Sequence, residues 1–272
     1  LYLNAEAPYY AGAVIEKGFS DELVDDKSKN YELAGSAWAQ AREVAKSIPM
    51  MEKAAAKSDE GELYVRLGNV YLDGDQFAKA ADSVRKGLKK GGVKRPDQAR
   101  LVLGMAYFNL GAALIDSGHY VEAAQRMLEA KERWPAGSEM WARATALAFN
   151  VLIQEACAEV AKPEWWNDEG LKALSARVVR AAPENVDAHK MRAVVLRGVR
   201  GAWERGPRSA AELREAAVHY ERAAVFSLSP GMKAELTGAA AKLGTNVEIL
   251  KLADGELSLI HISEPTRRTP IS

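Results

Sequence analysis

The chain has 272 residues, 48% of them hydrophobic, and its 37 basic and 37 acidic side chains cancel. That length supports one large or two ordinary domains, and zero formal charge removes the electrostatic reason to expect nucleic acid or an anionic membrane as the main partner. The single cysteine, Cys157, excludes an internal disulfide framework, and abundant alanine with few Val/Ile/Thr runs favours an all-α fold.

Taken in order, Leu1 to Phe19 reads as a helix, and Ala11, Ile15 and Gly18 have the spacing of Ala80, Val84 and Gly87 further on. It is therefore expected to be the second helix of a hairpin, followed by the polar connector Ser20 to Lys29. Residues 61 to 92 hold the clearest unit, two helix-period runs joined at Asp73-Gly74-Asp75. The first run carries Leu63, Tyr64, Leu67, Val70 and Tyr71; the second carries Phe77, Ala80, Ala81, Val84 and Leu88. Gly68, Ala80 and Gly87 are small where two such helices must approach. A hairpin of this kind cannot bury its own apolar faces and needs copies of itself on either side. The chain supplies one: Gly35, Trp38, Ser47 and Ala54 precede Gly68, Tyr71, Ala80 and Gly87 by 33 residues each, the mark of an internal repeat.

These residues resemble the tetratricopeptide repeat, whose first helix reads aromatic-x-x-Leu-Gly-x-x-Tyr and whose second reads Ala-x-x-x-Phe-x-x-Ala. Tyr64, Leu67, Gly68, Tyr71 and Ala80 fit; Val84 and Gly87 depart from the pattern, and Gly92 stands where proline is usual. The resemblance implies an all-α fold, a right-handed α-solenoid of antiparallel helix-turn-helix hairpins. Repeats are expected over about 28–60, 61–94 and 96–137, with a partial repeat in 1–19, making 1–137 one domain.

The third repeat has two registers. Leu103-Gly104-x-x-Tyr107 is one. The other is Tyr107-x-x-Leu110-Gly111-x-x-Leu114, leading to Gly118, Ala123, Met127, Ala130 and Pro135. A single long helix from about Asp97 to Ser117 would cover both; a splice of two repeat genes near Gly111 would also give the double signal. Residues 138–243 read as a divergent helical continuation. Its helices are expected over Glu139 to Ala161, Leu171 to Ala182, 187 to 203, 209 to 228 and Met232 to Leu243. Ser209-x-x-Glu212 forms a capping box, and Ser229-Pro230 opens the last helix. Residues 244–256 read as a linker or truncated end. Residues 257–272, LSLIHISEPTRRTPIS, resemble the in-frame translation of a transposase sequencing adapter, so the fold expectation stops at Glu256.

No catalytic constellation emerges. The sequence has no GxxxxGK[ST], no GxGxxG after a strand, no HExxH and no GxSxG. His119, His189 and His219 have no carboxylate, cysteine or second histidine at ligand spacing and are expected on the surface; Cys157 is expected to be a buried small hydrophobe. Trp165 and Trp166 are either a partner anchor or, the favoured reading, a staple over the next helix. No apolar run approaches the ~20 residues of a membrane span. No signal peptide opens the chain, although Leu1 leaves a missing leader open.

The expectation is thus a non-catalytic interaction scaffold with no cofactor or metal, cytoplasmic by default, binding a protein or peptide. The alternative is a regulatory or substrate-recruiting arm of an enzyme whose catalytic domain lies beyond these ends. Self-association through uncapped array ends is a further possibility. By position in the resembled family, Glu32, Ser36, Glu62, Val65, Asn69, Leu72 and Asp73 would line the peptide groove. That family's Lys/Asn clamp for a C-terminal carboxylate is matched only at Asn69, with Glu32 where a lysine is needed, so chaperone-tail binding is not expected.

Overall fold

The computed structural model describes residues 7–154, 161–204 and 206–245. It divides into two compact units, Leu1–Ala136 and Gly137–Ser272, and the described residues form helices with no strand. Unit 1 contains α1 (Pro8–Ser20), α2 (Ser28–Gln40), α3 (Val44–Ala56), α4 (Glu62–Asp73), α5 (Phe77–Lys90), α6 (Pro96–Asp116) and α7 (Tyr120–Lys131). Unit 2 contains α8 (Glu139–Gln154), α9 (Asp168–Ala181), α10 (Val186–Arg197), α11 (Ala210–Phe226) and α12, residues 230–245. Cys157, in the helix expected over Glu139 to Ala161, and the adapter-like residues 257–272 lie outside the described residues.

In unit 1 each helix packs on the next, α2 with α3, α4 with α5 and α6 with α7 forming the hairpins. What fixes each hairpin is one glycine on its first helix. A Cβ on Gly35 would lie 2.6 Å from Met51 Cγ, one on Gly68 would lie 2.4 Å from Val84 Cγ2, and one on Gly111 would lie 2.9 Å from Met127 Cε. Each glycine meets the residue sixteen positions later. Seven positions after each glycine the chain turns through a left-handed residue: Arg42 (φ 59°), Asp75 (φ 55°) and Gly118 (φ 80°). The next amide closes the same helix-ending bond each time, Glu43 to Trp38, Gln76 to Tyr71 and His119 to Leu114, at 2.9, 2.9 and 2.8 Å.

That geometry settles the double register of the third hairpin. Gly111 is the counterpart of Gly35 and Gly68, and Leu114 of Trp38 and Tyr71. α6 is one 21-residue helix because its N-terminal extension has its own packing: a Cβ on Gly104 would lie 2.9 Å from Arg133 Cβ and 3.1 Å from the Trp134 ring. Phe108 meets Trp134 edge-on, with ring centroids 6.0 Å apart. Of the repeat positions, Trp38, Tyr64, Leu67, Tyr71, Ala80, Tyr107, Ala123 and Ala130 are all buried, whereas Pro135 is exposed beyond α7. The open end of the α4–α5 hairpin is as tight, backbone against backbone. Gly61 donates to the Gly91 carbonyl at 2.6 Å, and a Cβ on Gly61 would lie 1.9 Å from the Gly87 carbonyl oxygen. Ser47 and Ser83 are buried because their hydroxyls donate to the Gly35 and Tyr64 carbonyls at 2.8 and 2.7 Å.

One exclusion drawn from sequence needs correction. By length and mean hydropathy (1.2), α6 is apolar enough to cross a membrane. Its apolarity has a packing explanation, since Ala99, Leu103, Ala106, Tyr107 and Phe108 are buried and the helix packs on α5 and α7.

In unit 2, α10 packs on α8, α9 and α11. Asn167, Asn185 and Ser209 cap α9, α10 and α11, Ser209 with Glu212 in the expected capping box. The helix expected over 187–203 ends at Arg197, because Gly198 (φ 74°) and Gly201 (φ 83°) turn the chain.

Gly68→Leu is expected to lower stability by about 1–3 kcal/mol in a urea melt, since the added side chain must displace Val84. An unchanged midpoint would remove this crossing from the account.

Candidate functional site

The first helices of unit 1 carry the sequence-predicted groove residues, and the structure brings part of that set together. Glu32 and Ser36 of α2 line a hollow of about 260 Å³ with Lys29, Asn30 and Leu33. Glu32 also lines an adjoining hollow of about 330 Å³ with Glu62, Leu63 and Arg66 of α4 and Lys94 from the connection between α5 and α6. Asn69, Leu72 and Asp73 continue along α4, Asn69 and Asp73 exposed and Leu72 half-buried. Val65 is buried, 8% exposed, because its side chain packs toward Gly87; it contributes packing and presents no side chain.

Arg66, absent from the expected groove set, organises this surface. It pairs with Glu32 on the neighbouring helix and lies 3.6 Å from Glu62 one turn back. The other Glu62 oxygen accepts the Lys94 backbone N–H at 3.0 Å. Two carboxylates thus face one guanidinium, and with Glu60, Lys29 and Lys94 also lining the hollow its acidic and basic groups balance, without the excess of cations that a carboxylate clamp needs. Leu33, 46% exposed beside them, adds apolar surface that the sequence pattern did not single out. On α6 the Gly111 register puts Met105, which is exposed, at the position that Lys29 and Glu62 occupy in the earlier hairpins.

The strongest charge cluster lies in unit 2. Asp168, at the start of α9, accepts both Arg208 terminal nitrogens at 2.8 and 2.5 Å, the Trp203 Nε1 at 3.0 Å and Lys172 Nζ at 3.0 Å. Lys172 reaches on to Glu212 at 2.6 Å. The Arg208 guanidinium holds the Asp168 carboxyl far below the usual carboxylate range, with Trp203 and Lys172 adding to the effect against desolvation. A perturbed carboxylate is a natural candidate for chemistry, but here the acceptor oxygens are filled by donors of α9 and of the loop between α10 and α11. The cluster is a fastener. Phe149, Trp166 and Trp203 pack around it at centroid distances of 5.5 to 6.4 Å, and Trp166 Nε1 donates to the Ala202 carbonyl at 2.8 Å. Trp166 is therefore buried by its own unit, and Trp165 is half-buried.

The histidines divide. His119 is exposed in the turn before α7 with Nδ1 3.0 Å from the Ser117 hydroxyl. His189 and His219 were expected on the surface and are instead buried, 1% and 8% exposed, with Nδ1 atoms 2.8 Å apart. Sequence spacing could not pair them, because they sit on different helices. A signal was present: His219 lies on the Ala216, Tyr220 and Ala223 stripe, and His189 on that of Ala193 and Leu196. Among the described residues no cluster of three His, Cys, Asp or Glu has the arrangement of a metal site.

Replacing Asp168 by Ala strands the Arg208 guanidinium, whose side chain is 5% exposed, and is expected to cost about 3–5 kcal/mol in chemical denaturation. Adding Arg208→Met should recover much of that loss. Additive losses would show that the pair does not act as a unit.

No family model matches the sequence, and no curated protein matches it. Among solved structures, the chain is similar to YrrB, described as a tetratricopeptide protein with an unusual peptide-binding site, at 16% identity over 83% of this chain and 98% of that one, with a TM-score of 0.47. A tetratricopeptide repeat protein from Parabacteroides merdae is similar at 14% identity over 88% of this chain and 94% of that one, with a TM-score of 0.36. A tetratricopeptide domain of yeast Sti1 in complex with an Hsp90 peptide is similar at 15% identity over 88% and 94%, with a TM-score of 0.33. The fold reading rests on the molecule itself: in unit 1 the crossing glycines, their partners sixteen residues on and the left-handed turns form a repeat of antiparallel, tetratricopeptide-like helical hairpins.

Proposed function

We propose that the chain is a protein-interaction module that seats an extended or helical peptide along the first helices of unit 1. The observation that carries this reading is the alignment of half-exposed polar and apolar side chains on those helices: Glu32, Leu33 and Ser36 on α2, then Glu62, Asn69, Leu72 and Asp73 on α4, beside two adjoining hollows. Such repeats bind by presenting a surface rather than by reacting. The fold by itself names no ligand, so the ligand chemistry is taken from the side chains. Glu32, Glu60 and Glu62 balance Lys29, Arg66 and Lys94 around the hollow, and the exposed Asp73 adds an acidic group further along α4. This surface favours peptides with basic and apolar residues and disfavours a peptide ending in acidic residues.

The test is a peptide selected from a display library on the whole chain, followed by titration of variants. Glu32→Ala with Asn69→Ala and Asp73→Ala is expected to weaken binding by at least about tenfold, or ~1.4 kcal/mol. Asp82→Ala with Arg85→Ala, on exposed positions of the second helix α5, should change it less than about twofold by the same arithmetic. Equal losses in both variants would overturn the assignment of the face. A peptide with an acidic C-terminus should bind no better with its carboxylate free than amidated; a micromolar, carboxylate-dependent affinity would refute the charge argument.

A further inference from the structure

The His189–His219 pair is used by nothing described so far. It is buried between α10 and α11 with a definite proton arrangement. His189 Nε2 lies 2.8 Å from the Pro183 carbonyl, an acceptor, so that nitrogen carries the proton and Nδ1 of His189 carries a lone pair. His219 Nδ1, 2.8 Å away, must then donate to it. The neutral pair therefore consists of two opposite tautomers, each fixed by the other's hydrogen bond. Phe226 of α11 stacks on the His189 ring at 5.7 Å, closing it from solvent.

A third proton has one place to go without breaking a bond, His219 Nε2. That atom is 3.7 Å from Glu215 Oε1, but the same oxygen already accepts Arg192 at 2.7 and 3.0 Å. Arg222, also on α11, adds positive charge to the surroundings of both rings. The connection from α9 contributes the Pro183 carbonyl. One carboxylate thus faces two arginines before the histidine is charged at all. A fourth proton would set two N–H groups against each other at hydrogen-bond distance, which the pair cannot survive.

We propose that the His189–His219 pair is a pH-sensitive latch on the α10–α11 hairpin, closed while the pair is neutral and opened by acid. Burial, with the neighbouring ring and the arginines, pushes His219 down to about 4 from its ordinary 6.5, and burial lowers His189 as well. For bases held neutral by the fold, the stability they contribute is complete above ~6.5 and is lost as pH falls from there toward ~4. The unfolding or opening equilibrium of the hairpin should therefore rise by roughly tenfold or more between pH 7 and pH 5 from this pair alone.

Two measurements on the whole chain test it. Imidazole ¹⁵N spectra at pH 7 should show opposite tautomers, Nε2–H for His189 and Nδ1–H for His219; the same tautomer in both would overturn the pair. Amide hydrogen exchange, corrected for intrinsic rate, should lose protection on acidification to pH 5 in residues 186–226 before residues 62–90 of the same chain. Parallel loss in both segments would overturn the latch. The double variant His189→Asn with His219→Asn, if it folds, should lose the difference between the segments, and retention of that difference would place the switch elsewhere. Should the variant fail to fold, the two measurements on the unaltered chain decide the matter.

Discussion

Unit 1 depends on how closely two helices of a hairpin can cross. At Gly35, Gly68 and Gly111 the facing side chain fills the space a Cβ would take, so the two backbones approach to a distance that a larger residue forbids. That contact sets the angle at which the second helix leaves the turn and the level at which the next hairpin stacks. Gly61 and Gly87 repeat the requirement at the open end of the α4–α5 hairpin, backbone against backbone. Burial of Trp38, Tyr71, Met51 and Met127 follows from these crossings. The apolar area they remove from water then holds the array together.

The same constraint decides which surface is left over. With one side of each first helix committed to its crossing, the remaining side carries whatever chemistry the sequence places there. On α2 and α4 this is Glu32, Leu33, Ser36, Glu62, Asn69 and Asp73, tied across the two helices by Arg66. Unit 2 is built differently. Its α9–α11 region is fastened by the Asp168–Arg208 cluster, the Phe149, Trp166 and Trp203 rings, and the histidine pair. Fasteners of this kind respond to pH and charge, whereas a glycine crossing does not.

Much of unit 1 was legible in the sequence because its packing is periodic. Four coincident 33-residue offsets predict two equivalent hairpins, and glycine at the crossing is visible as a residue type. The third hairpin was ambiguous because Gly104 and Gly111 lie two helical turns apart on one face, and both serve close contacts. The turn residue at Gly118 separates them, since left-handed backbone occurs at the same distance from Gly35, Gly68 and Gly111. Unit 2 was legible only as a set of helices with caps. Its fasteners join residues 30 to 40 apart in the chain, as in His189 with His219 and Asp168 with Arg208, and no periodicity announces such pairs. Of the groove positions, Val65 failed because family position does not report burial. Arg66 is missing from the expected set because an ion pair between the first helices of two hairpins is invisible until the helices are placed.

The central claim is that the first-helix face of unit 1 is the binding surface. Its most direct test is hydrogen-exchange mapping of the whole chain with and without a selected peptide. Protection is predicted along α2 and α4, extending to the exposed side of α6. Protection confined to α3, α5 and α7, or to unit 2 alone, would contradict the account.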